Sequence, residues 1–343
     1  MSSPVAMLAV FAVCAAISLA ASAVLIVRIE RLGHRFGVTE AVLGLAAAVA
    51  ADAPEITSAV TALVRGQRDV GVGVILGANV FQLAALLGLG AVVAGGIVLD
   101  RRVVAFEGAA ALWIALVALA VVGGGVAPSL GLIAALLIFV PYVVVSSMSA
   151  ERRARLPIPA RWRGGVEEAI QEEVESMDAV EEAIEEATGD LRVKVGSRRD
   201  GLVAAIALLA VIAASAVLEW SASSLGKEWG IPDIVLGAIV IAGVTSVPNV
   251  VAAIYLARKG RGAATLSEAM NSNRINTLVG FLLPATLMGL VISAAGGAGL
   301  LAIWYVVMTA GVLGFAYLRK GISRIAGFGI IAVYVVVVIT LIR

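Results

Sequence analysis

The chain has 343 residues, of which 61% are hydrophobic and only 14% charged, and its mean hydropathy is +1.04. That leaves too little polar surface to cover a soluble globule, so the chain is read as an all-α integral membrane protein. A net charge of +1 excludes a basic nucleic-acid footprint, and the lone Cys14 excludes a disulfide framework or a cysteine-rich metal site.

Windows of about 20 apolar residues, the length a helix needs to cross a bilayer, predict ten transmembrane helices. They fall at 4–27, 38–64, 70–99, 103–122, 127–149, 202–225, 231–257, 263–294, 300–318 and 322–342. No basic residue precedes the first, which argues against a cleaved signal peptide despite the run Ala21-Ser22-Ala23. His34, the only histidine, lies in the charged loop that follows and is expected to be solvated.

The second span contains Asp52-Ala53-Pro54-Glu55, two acids around a helix-breaking proline. An ionisable group at membrane depth is costly unless it faces protein or water, and is a functional-site hypothesis by default. The third span carries Gly77-Ala78-Asn79-Val80-Phe81-Gln82. Between the fifth and sixth lies a loop, 150–199, with a basic stretch at 152–163 and an acidic one at 167–186. In and beside the latter, Val166, Ile170, Val174, Met177, Val180 and Ile184 recur at helical spacing, which predicts a solvated amphipathic helix. Its acids would be repelled by an anionic leaflet and lack the spacing of an EF-hand loop. The seventh span then gives Ser246-Val247-Pro248-Asn249, and the eighth Asn271-Ser272-Asn273-Arg274-Ile275-Asn276.

Pro54 precedes Asn79 by 25 residues, and Pro248 precedes Asn273 by 25. This repeat predicts two five-helix halves, 1–149 and 200–343, flanking the cytoplasmic loop 150–199. An odd number of spans per half makes them inverted repeats, the plan of many secondary transporters, with broken helices at the midplane. With both termini outside, 20 of the 25 basic residues fall in the cytoplasm. Four stay outside (Arg65, Arg68, Lys227 and Arg343) and Arg274 lies within a span, so the expected orientation is N-out/C-out. The expected location is a bacterial-type plasma membrane, as a multi-pass protein.

Each proline lacks an N–H and breaks its helix, freeing a carbonyl four residues back, Ala50 or Val244. Unwound backbone at membrane depth must line a cavity or be buried in protein. Carbonyls, carboxylates and amides are the oxygen ligands hard cations prefer. Asp52 and Glu55, three apart, can share a helix face, with Thr57 and Ser58 just beyond.

These segments resemble the calcium/cation antiporter superfamily, the group containing sodium/calcium exchangers. Its two alpha repeats each carry a Gly-Thr-Ser-x-Pro-Glu-like segment followed by a Gly-Ser-Asn-x-Phe-Asn-like segment. The resemblance covers the ten-span plan, the central loop and both repeats. It implies an antiporter that binds Ca2+ or another cation between the repeats and exchanges it for Na+ or H+ by alternating access, with no cofactor. It implies cation ligation by Asp52, Glu55, Asn79, Thr245, Ser246, Asn249 and Asn273. Gly77-Ala78-Asn79-Val80-Phe81, with Leu86-Leu87-Gly88, resembles sodium/calcium exchangers more than proton-coupled ones.

The second repeat departs from the pattern. Asn249 stands where the family has a second glutamate, and Asn271 and Arg274 replace a glycine and an aliphatic residue. Glu268, whose first-half counterpart is Val74, is read as a relocated acid. Arg274 has two readings. Either it pairs with an acid such as Glu107 and leaves Asp52, Glu55 and Glu268 to bind the cation, or it enters the cavity as a tethered cation and favours monovalent ion or proton exchange. A non-transporting sensor or scaffold is the alternative outside transport. Enzymatic readings lack their groups: there is no His-Glu-x-x-His, no Gly-x-Ser-x-Gly and no Walker lysine. The expected partners are inorganic cations and the lipid bilayer; the oligomeric state is left open.

Overall fold

The computed structural model describes residues 4–36, 40–148, 150–153, 155–156, 167, 197–292, 294 and 297–343. The acidic segment expected at 167–186 therefore lies outside the described residues apart from Glu167, as does most of the loop 150–199.

The first half comprises α1 (Pro4–Phe36), α2 (Glu40–Ala51), α3 (Ala53–Val64) and α4 (Arg68–Gln82). A π-helical turn, Leu83–Leu89, carries α4 into α5 (Gly90–Ala94), and α6 (Arg101–Val122), α7 (Pro128–Ser147) and the short α8 (Ala150–Arg153) follow. The second half starts with α9 (Arg198–Trp229) and α10 (Asp233–Val235), then a π-helical turn, Leu236–Ile241, α11 (Ala242–Thr245) and α12 (Val247–Arg258). Next come α13 (Gly262–Ile275), a third π turn, Asn276–Leu282, α14 (Leu283–Leu287), α15 (Ala298–Arg319) and α16 (Arg324–Ile342).

Among the described residues, seven helices are long and apolar enough to cross a membrane, and two bent pairs raise the number to nine. The pairs are the second and seventh predicted spans, bent by 61° after Ala51 and by 53° after Thr245. The predicted eighth span does not count with them. It is helical from Gly262 to Leu287 rather than to 294, and its first half carries Glu268, Asn271, Asn273 and Arg274, all buried in protein.

A second correction concerns the all-α expectation. The third span ends at Ala94, and β1 (Gly96–Val98) pairs antiparallel with β2 (Gly321–Ser323), Gly96 opposite Ser323. Gly321 makes this ribbon possible. Its φ is +144°, and a Cβ there would stand 2.2 Å from the Ile97 carbonyl oxygen.

The halves match in backbone detail at an offset of 194 residues, the separation of Asn79 and Asn273. At the breaks, Asp52 and Ser246 have φ/ψ of −84°/−1° and −81°/0°. Each donates its N–H four residues back, to Ala48 and Ala242. After α3 the chain turns through Gly66 (φ +77°), with Gln67 N–H bonded to the Ala62 carbonyl; after α12 it turns through Gly260 (φ +77°), with Arg261 N–H bonded to Leu256.

Two glycines bring the halves into backbone contact. A Cβ on Gly77 of α4 would lie 2.3 Å from Ala238 Cα, and one on Gly237 would lie 2.3 Å from the Val70 carbonyl oxygen. Such small-residue contacts are how membrane helices pack closely. They hold α4 of one half against the broken helix of the other. The long α1 and α9 lie along each other, joined by a 2.6 Å bond between the Ser18 and Ser215 hydroxyls.

Candidate ion-binding site

The break in each bent helix has a local cause. Pro54 and Pro248 sit in the first turn of α3 and α12, where a missing N–H costs nothing, while the turn before cannot continue straight. The freed Ala50 carbonyl has a partner within the protein. It accepts the Ser22 hydroxyl of α1 at 2.8 Å, so the acceptor released by Pro54 is used in helix packing.

The side chains at the breaks are enclosed. Asp52 and Asn249 are 1% exposed, and Glu55, Asn79, Ser246 and Asn273 are 0%. Asp52 Oδ1 accepts hydrogen bonds from Ser272 Oγ at 2.6 Å and Asn249 Nδ2 at 2.7 Å, linking the first break to α12 and α13 of the second half. Among the described residues, Asp52 Oδ2 has no hydrogen-bond partner. Glu55 has none for either oxygen, although it lies close enough to Asp52 for the two carboxylates to repel each other. Ser246 is near Glu55, but its hydroxyl completes no hydrogen bond by distance and angle.

Asn79 Nδ2 donates to Thr277 Oγ1 at 2.9 Å and to the Asn273 carbonyl at 3.3 Å. Asn79 Oδ1 and both polar atoms of the Asn273 side chain have no hydrogen-bond partner among the described residues. α3 packs on α4 and on the π turn Asn276–Leu282, so the elements that carry Glu55, Asn79 and Thr277 adjoin one another. π turns concentrate at functional sites because they re-aim side chains locally. Here they follow both asparagine segments.

A buried carboxylate without a hydrogen bond is strongly unfavourable unless a cation accompanies it or it takes up a proton. The unpartnered oxygens of Glu55, Asp52, Asn79 and Ser246 are the donor set that a hard cation takes. Among the described residues, however, no three of His, Cys, Asp and Glu form a group that could hold a metal. Glu268 is buried on α13, and among the described residues it forms no group of three with Asp52 and Glu55 that could hold a metal. Thr245 turns its hydroxyl back to the Ile241 carbonyl at 3.0 Å.

Arg274 has its own set of partners. Its Nη2 bonds Glu107 Oε2 at 2.7 Å and Asn271 Oδ1 at 2.7 Å, and lies 3.3 Å from the Tyr142 hydroxyl. The guanidinium stacks 4.2 Å from the Tyr142 ring centre. Ser272 and Thr277 were not singled out as site residues in the sequence. Their signal was position alone, each one helical step from a named asparagine.

The family model described as "Sodium/calcium exchanger protein" matches residues 6–150 and 201–343. Sodium/potassium/calcium exchanger 3 of Rattus norvegicus is 34% identical over 82 residues, 24% of this chain and 13% of that protein. Sodium/potassium/calcium exchanger 2 of Gallus gallus is 25% identical over 132 residues, 36% and 20% respectively. The chain thus spans well under two thirds of the curated relatives it matches. Among solved structures, the sodium-calcium exchanger NCX_Mj aligns over 96% of both chains with a TM-score of 0.59 and 17% identity. The H+/Ca2+ exchanger CAX aligns over 96% of this chain and 81% of its own, with a TM-score of 0.68 and 14% identity.

Proposed function

This chain belongs to the sodium/calcium exchanger protein family, and on that premise we propose that it is a secondary active cation antiporter. It binds Ca2+, or another hard cation, at Asp52 and Glu55, with Asn79, Ser246 and Asn273 as neutral oxygen ligands. Thr245 and Asn249 complete the surroundings, and Na+ or H+ is the exchanged ion. The observation that carries this reading is Glu55, fully enclosed with neither oxygen having a hydrogen-bond partner among the described residues. Alternating access about a closed midplane site follows from the inverted-repeat plan.

The architecture in this proposal is ten helices in two inverted halves, 1–149 and 200–343, N-out/C-out, in a bacterial-type plasma membrane. The family model matches the chain in two blocks of nearly these bounds. Sidedness has support from contacts between helix ends. Arg28 meets Asp200 at 2.6 Å, β1 pairs with β2, and Gly262 packs on Ile97 and Val98, all of them near segments rich in basic residues. At the opposite ends, Arg65 meets Glu219 at 3.0 Å and Arg68 donates to the Val291 carbonyl at 2.8 Å. That grouping agrees with the positive-inside assignment.

The bond of Arg274 to Glu107 favours the reading in which its charge is compensated away from Asp52 and Glu55. A tethered cation in the ion pathway has no comparable support. The test is a series of melting curves of the purified protein in Na+, K+, Ca2+, Mn2+ and varied pH, because an ion that binds the folded state raises its melting temperature. A specific rise with one or two of these ions is expected. Equal curves in all of them would sink the proposal.

A further inference from the structure

The 194-residue correspondence pairs Asp52 with Ser246 and Glu55 with Asn249. The backbone at 52 and 246 is nearly superimposable in φ/ψ, so these are equivalent places in equivalent breaks. Their chemistry is not equivalent. The first break carries acids at both positions, and the second carries a hydroxyl and an amide at the same two.

The extra acid of the first break touches the amide of the second. Asn249 Nδ2 donates to Asp52 Oδ1 at 2.7 Å, and Ser272 Oγ holds the same oxygen at 2.6 Å. Both side chains are buried, and among the described residues Asp52 Oδ2 has no hydrogen-bond partner. Two donors on one carboxylate oxygen fix its orientation and leave the other oxygen as the reactive one. Glu268 stands outside this arrangement, and the charge of Arg274 is matched by Glu107.

We propose that Asp52 and Asn249 are one acid–amide unit in which Asp52 supplies, from the first half, the negative charge that position 249 lacks. Asp52 is then a specificity-determining residue. With Glu55 it gives the site two negative charges, as a single divalent cation requires in a low-dielectric interior. Asn249 is a positioning residue that aims the carboxylate through its amide. Which of the two positions carries the charge is interchangeable, because aspartate and asparagine have the same shape.

This inference rests on the proposed ion site, and the experiment separates the two. Ca2+ binding is titrated calorimetrically on the purified full chain and on D52N, N249D, D52N/N249D and E55Q, with monodispersity and ion-free melting temperature measured for each. D52N is expected to weaken Ca2+ binding by roughly thirtyfold or more, the scale for losing one member of a buried hydrogen-bonded charge pair. D52N/N249D is expected to bind within a few-fold of the parent, a coupling that independent sites would not give. Parent affinity in D52N, or a folded double variant that binds no better than D52N, would overturn the acid–amide unit. If the double variant does not fold, D52S/N249D carries the same charge with the serine of position 246, and the same recovery or failure decides. E55Q reports on the underlying reading. Unchanged affinity in E55Q removes the ion site itself, whereas loss in E55Q with no recovery in the swap removes only the relocation.

Discussion

Arg274 Nη2 lies 2.7 Å from Glu107 Oε2, and neither side chain has any exposed surface. The Tyr142 hydroxyl donates to the other Glu107 oxygen at 3.0 Å, so the pair sits in a closed polar cluster between α6, α7 and α13. The equivalent position in the first half, Val80, is apolar. An uncompensated arginine here would be costly, which makes Glu107 the condition for tolerating Arg274.

Breaking this pair from one side should therefore cost far more than removing it. R274L or E107Q alone strands a buried charge or acceptor, with an expected loss of about 3–5 kcal/mol. R274V/E107L should be close to the parent in melting temperature. Thermal denaturation in detergent checks both. A stable R274L with stronger Ca2+ binding would instead put Arg274 in the ion pathway.

The glycine contacts make a steric prediction. G77A and G237A each drive a methyl group to 2.3 Å from backbone atoms of the other half, so the helices must separate. A loss of about 1–3 kcal/mol or more is expected from such overpacking, together with weakened ion binding. Gly243, two to three residues before the break, meets nothing within 4 Å of an added Cβ. G243A is the control and should leave melting temperature and ion binding intact.

Sidedness can be read by labelling. In a Cys14→Ser background, Lys227→Cys should react with a membrane-impermeant maleimide in right-side-out vesicles and Arg319→Cys should not. Inverted vesicles should reverse the result. Both positions are exposed in the structure, so failure of access would reflect the membrane and not burial. Labelling of both from one side would refute the N-out/C-out arrangement.

The breaks and the asparagine segments were legible in the sequence because a proline, an asparagine and their spacing are local features that occur twice. What joins them was not. The bonds from Asn249 and Ser272 to Asp52 link residues about 200 positions apart, and no spacing rule predicts which of several buried polar groups will meet. The proline rule identified the freed Ala50 carbonyl but could not see that Ser22 would take it. Arg274 was ambiguous for a geometric reason. It follows Asn273 by one residue, about 100° around a helix, and only packing decides which side faces the ion site. The ribbon between β1 and β2 escaped notice because Ile97 and Val98 extend an apolar run that reads equally well as helix.

Glu55 carries the central claim, and ion exchange in proteoliposomes tests it most directly. Vesicles containing the parent protein should accumulate Ca2+ when an outward Na+ or H+ gradient is imposed and should not without that gradient. Glu55→Gln keeps the shape of the side chain but deletes the charge a desolvated cation needs, so uptake should fall to the level of empty vesicles. Gradient-driven uptake by the parent that is absent in E55Q is the expected result. Equal uptake by folded E55Q, or parent vesicles no different from empty ones under either gradient, would contradict the account.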